Sequence, residues 1–339
     1  MLAVQEELWE VLQNVDAVVY HAGMQNVMFM AEELQIPSFL ASPFPLAATS
    51  AYPAIIFYGK LRLIGAVGKI LNMASHTVFQ QIFWMLSRSA AKEFWQRRGK
   101  SHKAGVLAPT RKCWQNGLVS FFAYSPLLFP GAEEWSENLV TTGFWTLPEK
   151  QDFTPSPELA SFLAEGEAPL YIGFGSIKDT SVFQQTLTMI GAALEKVGVR
   201  AVLGLGWSSV EENFPLSQNI CLIGSVPHQW LFPRVRAVVH HGGAGTTAAG
   251  LRAGKATLII PHLGDQPAWG VRVWELGVGA KPIPKKKLTA EALEAGLREV
   301  LLPELRINAE NFAAKLNNER GVENAVAVIA RFLSPDKIA

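Results

Sequence analysis

Residues 240–254 read HHGGAGTTAAGLRAG. Two histidines run into a string of very small residues, and an Ala/Leu-rich stretch follows. Glycines leave backbone amides unshielded and permit positive φ. If Val238–His241 ends a strand and Thr246–Leu251 begins a helix, the oriented first-turn N–H groups and the helix dipole together make an anion site, typically for phosphate. Thr246 and Thr247 can cap that helix and donate to the same anion, and His241 can donate an imidazole N–H to a second oxygen. A glycine-rich tight turn with Thr246 as a plain N-cap accounts for the same residues. The string is not G-x-G-x-x-G, since Gly243-Ala-Gly245 is followed by Thr246, Thr247 and Ala248. No Lys follows it as a Walker loop requires, so a dinucleotide dehydrogenase and a P-loop ATPase are both disfavoured.

Three companions strengthen the chemical reading. FGS at 174–176 places Gly173, Gly175 and Ser176 at a second strand end, a second loop rich in free amides. GSVPHQWLF at 224–232 is a Pro-anchored turn whose backbone and His228 can hydrogen-bond a planar ring. PHLGDQPAWG at 261–270 offers Asp265 and Gln266 at a helix start. A carboxylate beside a diphosphate is poor phosphate chemistry, but it accepts hydrogen bonds from paired sugar hydroxyls. Asp265 can also serve as an N-cap, and the two roles are compatible. A base, two phosphates and a sugar are the parts of a nucleotide sugar.

These loops need strands to carry them. From residue 159 onward, short apolar runs alternate with helical patterns: PLYIGFGS, a helix at 180–197, VRAVLGL, NICLIG, VRAVVHH, a helix from Thr246, ATLIIPH, a helix from Gln266, VGAKPI, and helices from Thr289 to Leu333. This alternation predicts a doubly wound parallel sheet with ligands at the carboxyl ends of its strands. The first half has about four strands (16–20, 36–42, 118–125 and 138–144) and one or two long aromatic helices over 55–97. The expected division is an N-terminal domain at 1–145, a Pro-rich linker at 146–158, a second domain at 159–320, and a C-terminal helix at 321–339 packing back on the first domain.

Composition narrows the class. The chain has 339 residues, 49% hydrophobic and 17% charged, with net charge +1, which argues against disorder and against a dedicated nucleic-acid binder. Cys113 and Cys221 are far apart and in no metal-ligand spacing, so a reduced, cytoplasmic setting is expected. The acidic start is unlike a secretion signal, and no uninterrupted apolar run reaches the ~18 residues of a membrane span. Residues 51–112 contrast with the neutral total: eleven Lys/Arg stand against the single acid Glu93. With the aromatic residues of that stretch, this points to peripheral contact with an anionic membrane, or else to a core helix with a solvated basic face.

The run VPHQWLFPRVRAVVHHGGAGTTAAGLRAGKATLIIPHLGDQPAWGVRVWELGVG (226–279) closely resembles the donor-binding motif of UDP-glycosyltransferases, in particular the sterol glucosyltransferase branch and its bacterial relatives. The resemblance covers residues ~16–335 and implies the α/β GT-B architecture, two Rossmann-like domains facing a cleft. It implies that His241, Gly243, Gly245, Thr246 and Ser176 bind the donor diphosphate, Val226 and His228 lie along uracil, and Asp265 and Gln266 hold the sugar. No metal and no cofactor are implied beyond the UDP-sugar co-substrate. The implied reaction is inverting transfer of a hexose, glucose first among them, to a hydroxyl of an apolar acceptor such as a sterol or lipid.

The resemblance also implies a catalytic histidine in a Gly-rich loop after the first strand, and no such segment precedes DAVVYHAG. The N-terminal domain therefore reads as incomplete. His21 is the candidate substitute base. The alternatives are a nucleotide-sugar-binding half-protein that needs a partner or a missing segment, and a nucleotide-sugar epimerase.

Overall fold

The computed structural model describes residues 2–60, 65–100, 103–146, 153–173, 180–206 and 215–333. The chain divides into two compact units, one formed by residues 1–146 with 320–339 and the other by 147–319.

The first unit begins with a helix the sequence reading did not anticipate, α1 (Leu2–Leu12), followed by β1 (Val18–His21), α2 (Asn26–Leu34) and β2 (Ser38–Ser42). A long helix α3 (Gly65–Arg97) comes next, then α4 (Thr110–Gln115), β3 (Val119–Phe122) and β4 (Leu139–Thr141). The four strands pair in sequence order and all run parallel. β3 reads VSFF and is buried at every position, as expected of a strand covered on both faces. The expected helical region at 55–97 resolves into a 3₁₀ turn at Ile55–Phe57 and the single helix α3. Buried residues recur along α3 every three or four positions, from Gly68 and Asn72 to Phe94 and Trp95, so one stripe of it is core. A buried relay ties the three helices together: the Trp95 indole donates to Asn26 Oδ1 at 2.7 Å, and Asn26 Nδ2 donates to Gln5 Oε1 at 2.9 Å.

The basic stretch of this unit is neutralised in part within the fold, at four of its eleven basic residues. Arg97 pairs with Glu93, Arg98 with Glu6 at 2.6 Å, Lys100 with Glu33, and Lys103 with Glu32 and Glu33. A charge count over 51–112 misses this because three of these acids lie in residues 1–33.

The second unit comprises α5 (Pro157–Ala164), β5 (Leu170–Gly173), α6 (Thr180–Val197), β6 (Ala201–Gly204) and β7 (Ile220–Ile223). It continues with α7 (His228–Leu231), β8 (Ala237–His240), α8 (Ala244–Arg252), β9 (Ala256–Ile259), α9 (Gln266–Glu275), α10 (Ala290–Val300) and α11 (Pro303–Leu316). α5 starts inside the stretch read as linker, with Ser156 Oγ capping the Leu159 amide at 3.3 Å. The sheet is parallel, in the order β7-β6-β5-β8-β9. Its direction reverses between β5 and β8, which places a topological switch point there, the position where open α/β sheets bind ligands.

One expected strand is absent. VGAKPI forms a single bridge between Thr257 and Gly279 instead of a ladder. Pro282 and Pro284 have no amide to donate, and the Lys281 amide turns to Glu299 Oε1 at 3.0 Å.

A last helix, α12 (Gly321–Leu333), belongs to the first unit. Val328, Ile329 and Phe332 pack on Phe39, Val119 and Phe121, and Asn324 Nδ2 donates to Thr142 O at 2.9 Å. Among the described residues, no helix is long and apolar enough to cross a membrane.

Candidate functional site

Gly173 at the end of β5 is in register with His240 at the end of β8, so the two strand ends lie side by side at the switch point. Ser176 lies outside the described residues. The loop after β8 is built around two glycines. Gly242 has φ 93°, and a Cβ there would fall 2.7 Å from Ile259 Cγ2 and 3.1 Å from Gln266 O. A Cβ on Gly243 would fall 2.8 Å from His241 Nε2. Glycine at 242 and 243 therefore lets the loop lie close against α9 and lets the His241 ring lie over the backbone.

α8 begins at Ala244, two residues earlier than expected, with Gly243 as an N-cap that offers no side-chain acceptor. Thr246 sits within the first turn instead of capping it. Thr247 neither caps nor faces outward: its hydroxyl donates back to Gly243 O at 2.9 Å, and it is buried. The first-turn amides of Ala244, Gly245 and Thr246 have no acceptor within the helix, so they remain as oriented donors.

Four histidines surround this turn. His240 is fully buried, and its Nδ1 accepts the Gly242 amide at 3.0 Å. Burial, followed by repulsion from His241 and His228, lowers its pKa to about 3, so the ring is neutral and carries its proton on Nε2. That Nε2 is itself buried without a hydrogen-bond partner. The His241 ring lies 6.1 Å from His240 and 6.3 Å from His262, and its Nδ1 is buried without a hydrogen-bond partner.

His262 was passed over in the sequence although it stands in the same PHLGDQ run. Burial, then Lys285 and His241, lowers its pKa to about 4. His228 does not lie in an open turn but begins α7. Its imidazole stacks on Phe232 at 4.5 Å and meets the edge of Tyr171. Burial and the His241 charge lower its pKa. Val226 packs on the same cluster, which includes Leu231 and Phe232.

Asp265 and Gln266 both anchor the loop before α9. Asp265 occupies the N-cap position without a side-chain cap bond. Its Oδ2 instead accepts the Trp269 indole N–H at 2.7 Å. Gln266 Oε1 accepts the amides of His262 at 2.8 Å and Leu263 at 3.1 Å. These bonds fix both side chains beside the histidine loop and leave the second carboxylate oxygen of Asp265 and the amide nitrogen of Gln266 as the groups able to meet hydroxyls.

His21 belongs to the first unit, at the carboxyl end of β1. Its Nδ1 accepts the Gly23 amide at 3.0 Å, so the neutral ring holds its proton on Nε2 and its basic lone pair is already engaged. Partial burial lowers its pKa.

The family described as "Erythromycin biosynthesis protein CIII-like, C-terminal domain" matches residues 188–330, the greater part of the second unit. The sterol 3-beta-glucosyltransferase UGT80A2 of Arabidopsis thaliana is 32% identical over 324 residues, 96% of this chain and 50% of that protein. A sterol 3-beta-glucosyltransferase of Aspergillus fumigatus is 35% identical over 338 residues, covering 96% of this chain and 23% of its own length. The chain thus spans about half the length of the plant relative or less. Among solved structures, the glycotransferase of kitacinnamycin superposes with a TM-score of 0.65 at 19% identity, covering 98% of this chain and 79% of the other. The GT-B fold class expected from residues 226–279 holds, as does the kinship with sterol glucosyltransferases.

Proposed function

We propose that this chain, a glycosyltransferase relative whose residues 188–330 belong to the erythromycin biosynthesis protein CIII-like C-terminal domain family, binds a UDP-hexose and serves its transfer to a hydroxyl of an apolar acceptor such as a sterol. Glucose is the first candidate for the hexose. The observation that carries this reading is the turn after β8, where the His241 imidazole lies over Gly243 beside first-turn amides of α8 that have no acceptor within the helix.

In this reading the amides of Gly245 and Thr246 and the His241 imidazole hold the diphosphate, with Ser176 as a further donor. As the acceptor hydroxyl oxygen attacks the anomeric carbon from the opposite side, its proton passes to a general base, the bond from that carbon to the diphosphate oxygen breaks and the configuration inverts. Negative charge grows on the departing UDP, and donors fixed in advance stabilise it without reorganising. Asp265 and Gln266 orient the sugar, while Val226 and His228 border the base. Neither a metal nor a cofactor takes part. Residues 51–112 meet an anionic membrane surface, where an apolar acceptor would reside. The test is calorimetric titration with UDP and UDP-glucose, followed by UDP release in the presence of a sterol. Unchanged UDP affinity in His241→Ala overturns the reading.

A second reading is favoured by His21. With its Nδ1 lone pair taken by the Gly23 amide, it is poorly set to receive the acceptor proton. The chain would then bind the donor without completing transfer. UDP binding with no UDP release from any hydroxylated lipid supports this version, and turnover that disappears in His21→Ala overturns it.

A further inference from the structure

The membrane contact proposed above can be placed on one helix face, and the inference rests on that reading. The face of α3 opposite its core stripe is apolar for two thirds of its length: Val67, Ile70, Val78, Ile82, Met85 and Leu86 are all exposed, Leu86 at 68%. At 1.5 Å per residue, the stripe from Val67 to Leu86 is about 29 Å long. Side chains of this size each gain about 1.5–3 kcal/mol when fully removed from water, so their shared exposure calls for a partner.

The same face is extended by a loop that α3 itself holds. Gln81 Nε2 donates to Val106 O at 2.9 Å, and Gln81 Oε1 accepts the Ala108 amide at 2.9 Å. Trp84 Nε1 and Arg88 Nε both donate to Gly105 O, at 3.0 and 2.8 Å. These four bonds hold the loop against α3 and leave Val106 and Leu107 exposed, Leu107 at 79%.

Charge selects the partner. No Asp or Glu occurs from residue 51 to 92. Of the bases after Glu93, Arg97, Arg98, Lys100 and Lys103 are held in ion pairs, whereas among the described residues Lys69, Arg88 and Lys92 on α3 form none. A second copy packed on this stripe would bring like bases together, with no acid from residue 51 to 92 to answer them, which is repulsive. An anionic bilayer instead meets an apolar ridge on a helix that also carries unpaired bases, apolar below the headgroups and positive among them.

We propose that the Val67–Leu86 face of α3, with Val106 and Leu107, lies in the headgroup region of an anionic membrane. It binds mainly by apolar insertion and only secondarily by charge.

The test is flotation of the full chain with phosphatidylcholine vesicles, with and without phosphatidylserine. Wild type is expected to float with both and more completely with phosphatidylserine. Leu86→Asp and, separately, Leu107→Ser at the exposed loop tip are expected to lose about tenfold in partitioning. Lys69→Glu combined with Lys92→Glu is expected to remove only the phosphatidylserine increment. Wild type that stays unbound at low ionic strength overturns the proposal, as does a dimer in solution that Leu86→Asp dissociates. UDP affinity, expected to be unchanged in Leu86→Asp and Leu107→Ser, separates failure of this surface from failure of the donor-site reading.

Discussion

Asp265 and Trp269, one helical turn apart on α9, are joined by a 2.7 Å hydrogen bond from the indole N–H to the carboxylate. Trp269 is fully buried while Asp265 is partly exposed, so a core side chain fixes the orientation of a carboxylate at the rim of the site. Trp269→Phe keeps most of the apolar volume and deletes the donor. Stability is expected to fall by about 1–2 kcal/mol. Affinity for UDP-glucose should weaken while affinity for UDP holds, because in the proposed site only the sugar meets Asp265. Calorimetry with both ligands checks this, and equal weakening of the two would remove Asp265 from sugar binding.

Two glycines of the histidine loop should respond in opposite ways. Gly242→Ala forces a Cβ to 2.7 Å from Ile259 Cγ2 at φ 93°, and should cost several kcal/mol, on the order of 2–4. A Cβ on Gly245 would meet nothing within 4 Å, and its position in the first turn of α8 tolerates alanine. Gly245→Ala should leave thermal stability unchanged or raise it by up to about 1 kcal/mol, yet weaken UDP binding about tenfold by crowding the phosphate. Thermal denaturation and UDP titration of the two variants give the comparison. Undiminished UDP affinity in Gly245→Ala would place the diphosphate elsewhere.

Acid should destabilise the fold through two buried histidines. His240 in the second unit is lowered to about 3 and His76 in the first to about 4, each chiefly by burial, against an ordinary value of 6.5. Above pH 6.5 neither state of the chain binds these protons. Below it the unfolded chain binds them first, so stability falls with pH down to the folded values, by about 1.4 kcal/mol per pH unit for each ring. His240→Asn keeps an acceptor for the Gly242 amide and removes the titration. Urea unfolding from pH 7 to 4.5 should show a shallower decline for this variant, and identical slopes would contradict the burial of a neutral ring.

Much of this was legible in the chain because period and punctuation agree. The strand VRAVVHH, the glycines after it and the Ala-rich run beyond them marked a βα turn at a sheet edge, and the PHLGDQ run marked the next one. What escaped depends on tertiary contacts. The early start of α8 follows from Gly243 taking the N-cap position while Thr247 bonds backward, a choice local propensity does not dictate. The missing strand at VGAKPI reflects Pro282 and Pro284 beside an edge where the Lys281 amide finds Glu299. Counted linearly, residues 51–112 read as a basic patch, but acids of α1 and α2 approach Arg98, Lys100 and Lys103 only once the helices pack. The apolar face of α3 was masked for a related reason: both of its faces are rich in apolar residues, and only burial tells them apart.

The most direct measurement is the affinity of UDP for wild type and His241→Ala by isothermal titration calorimetry. The imidazole lies over Gly243 beside the first turn of α8, so a diphosphate seated on that turn should gain a hydrogen bond from it. Wild type should bind UDP, and His241→Ala should bind at least about tenfold more weakly, as expected for the loss of a hydrogen bond to a charged group. Equal affinity in the two proteins, or no UDP binding by wild type, would contradict a diphosphate site at this turn.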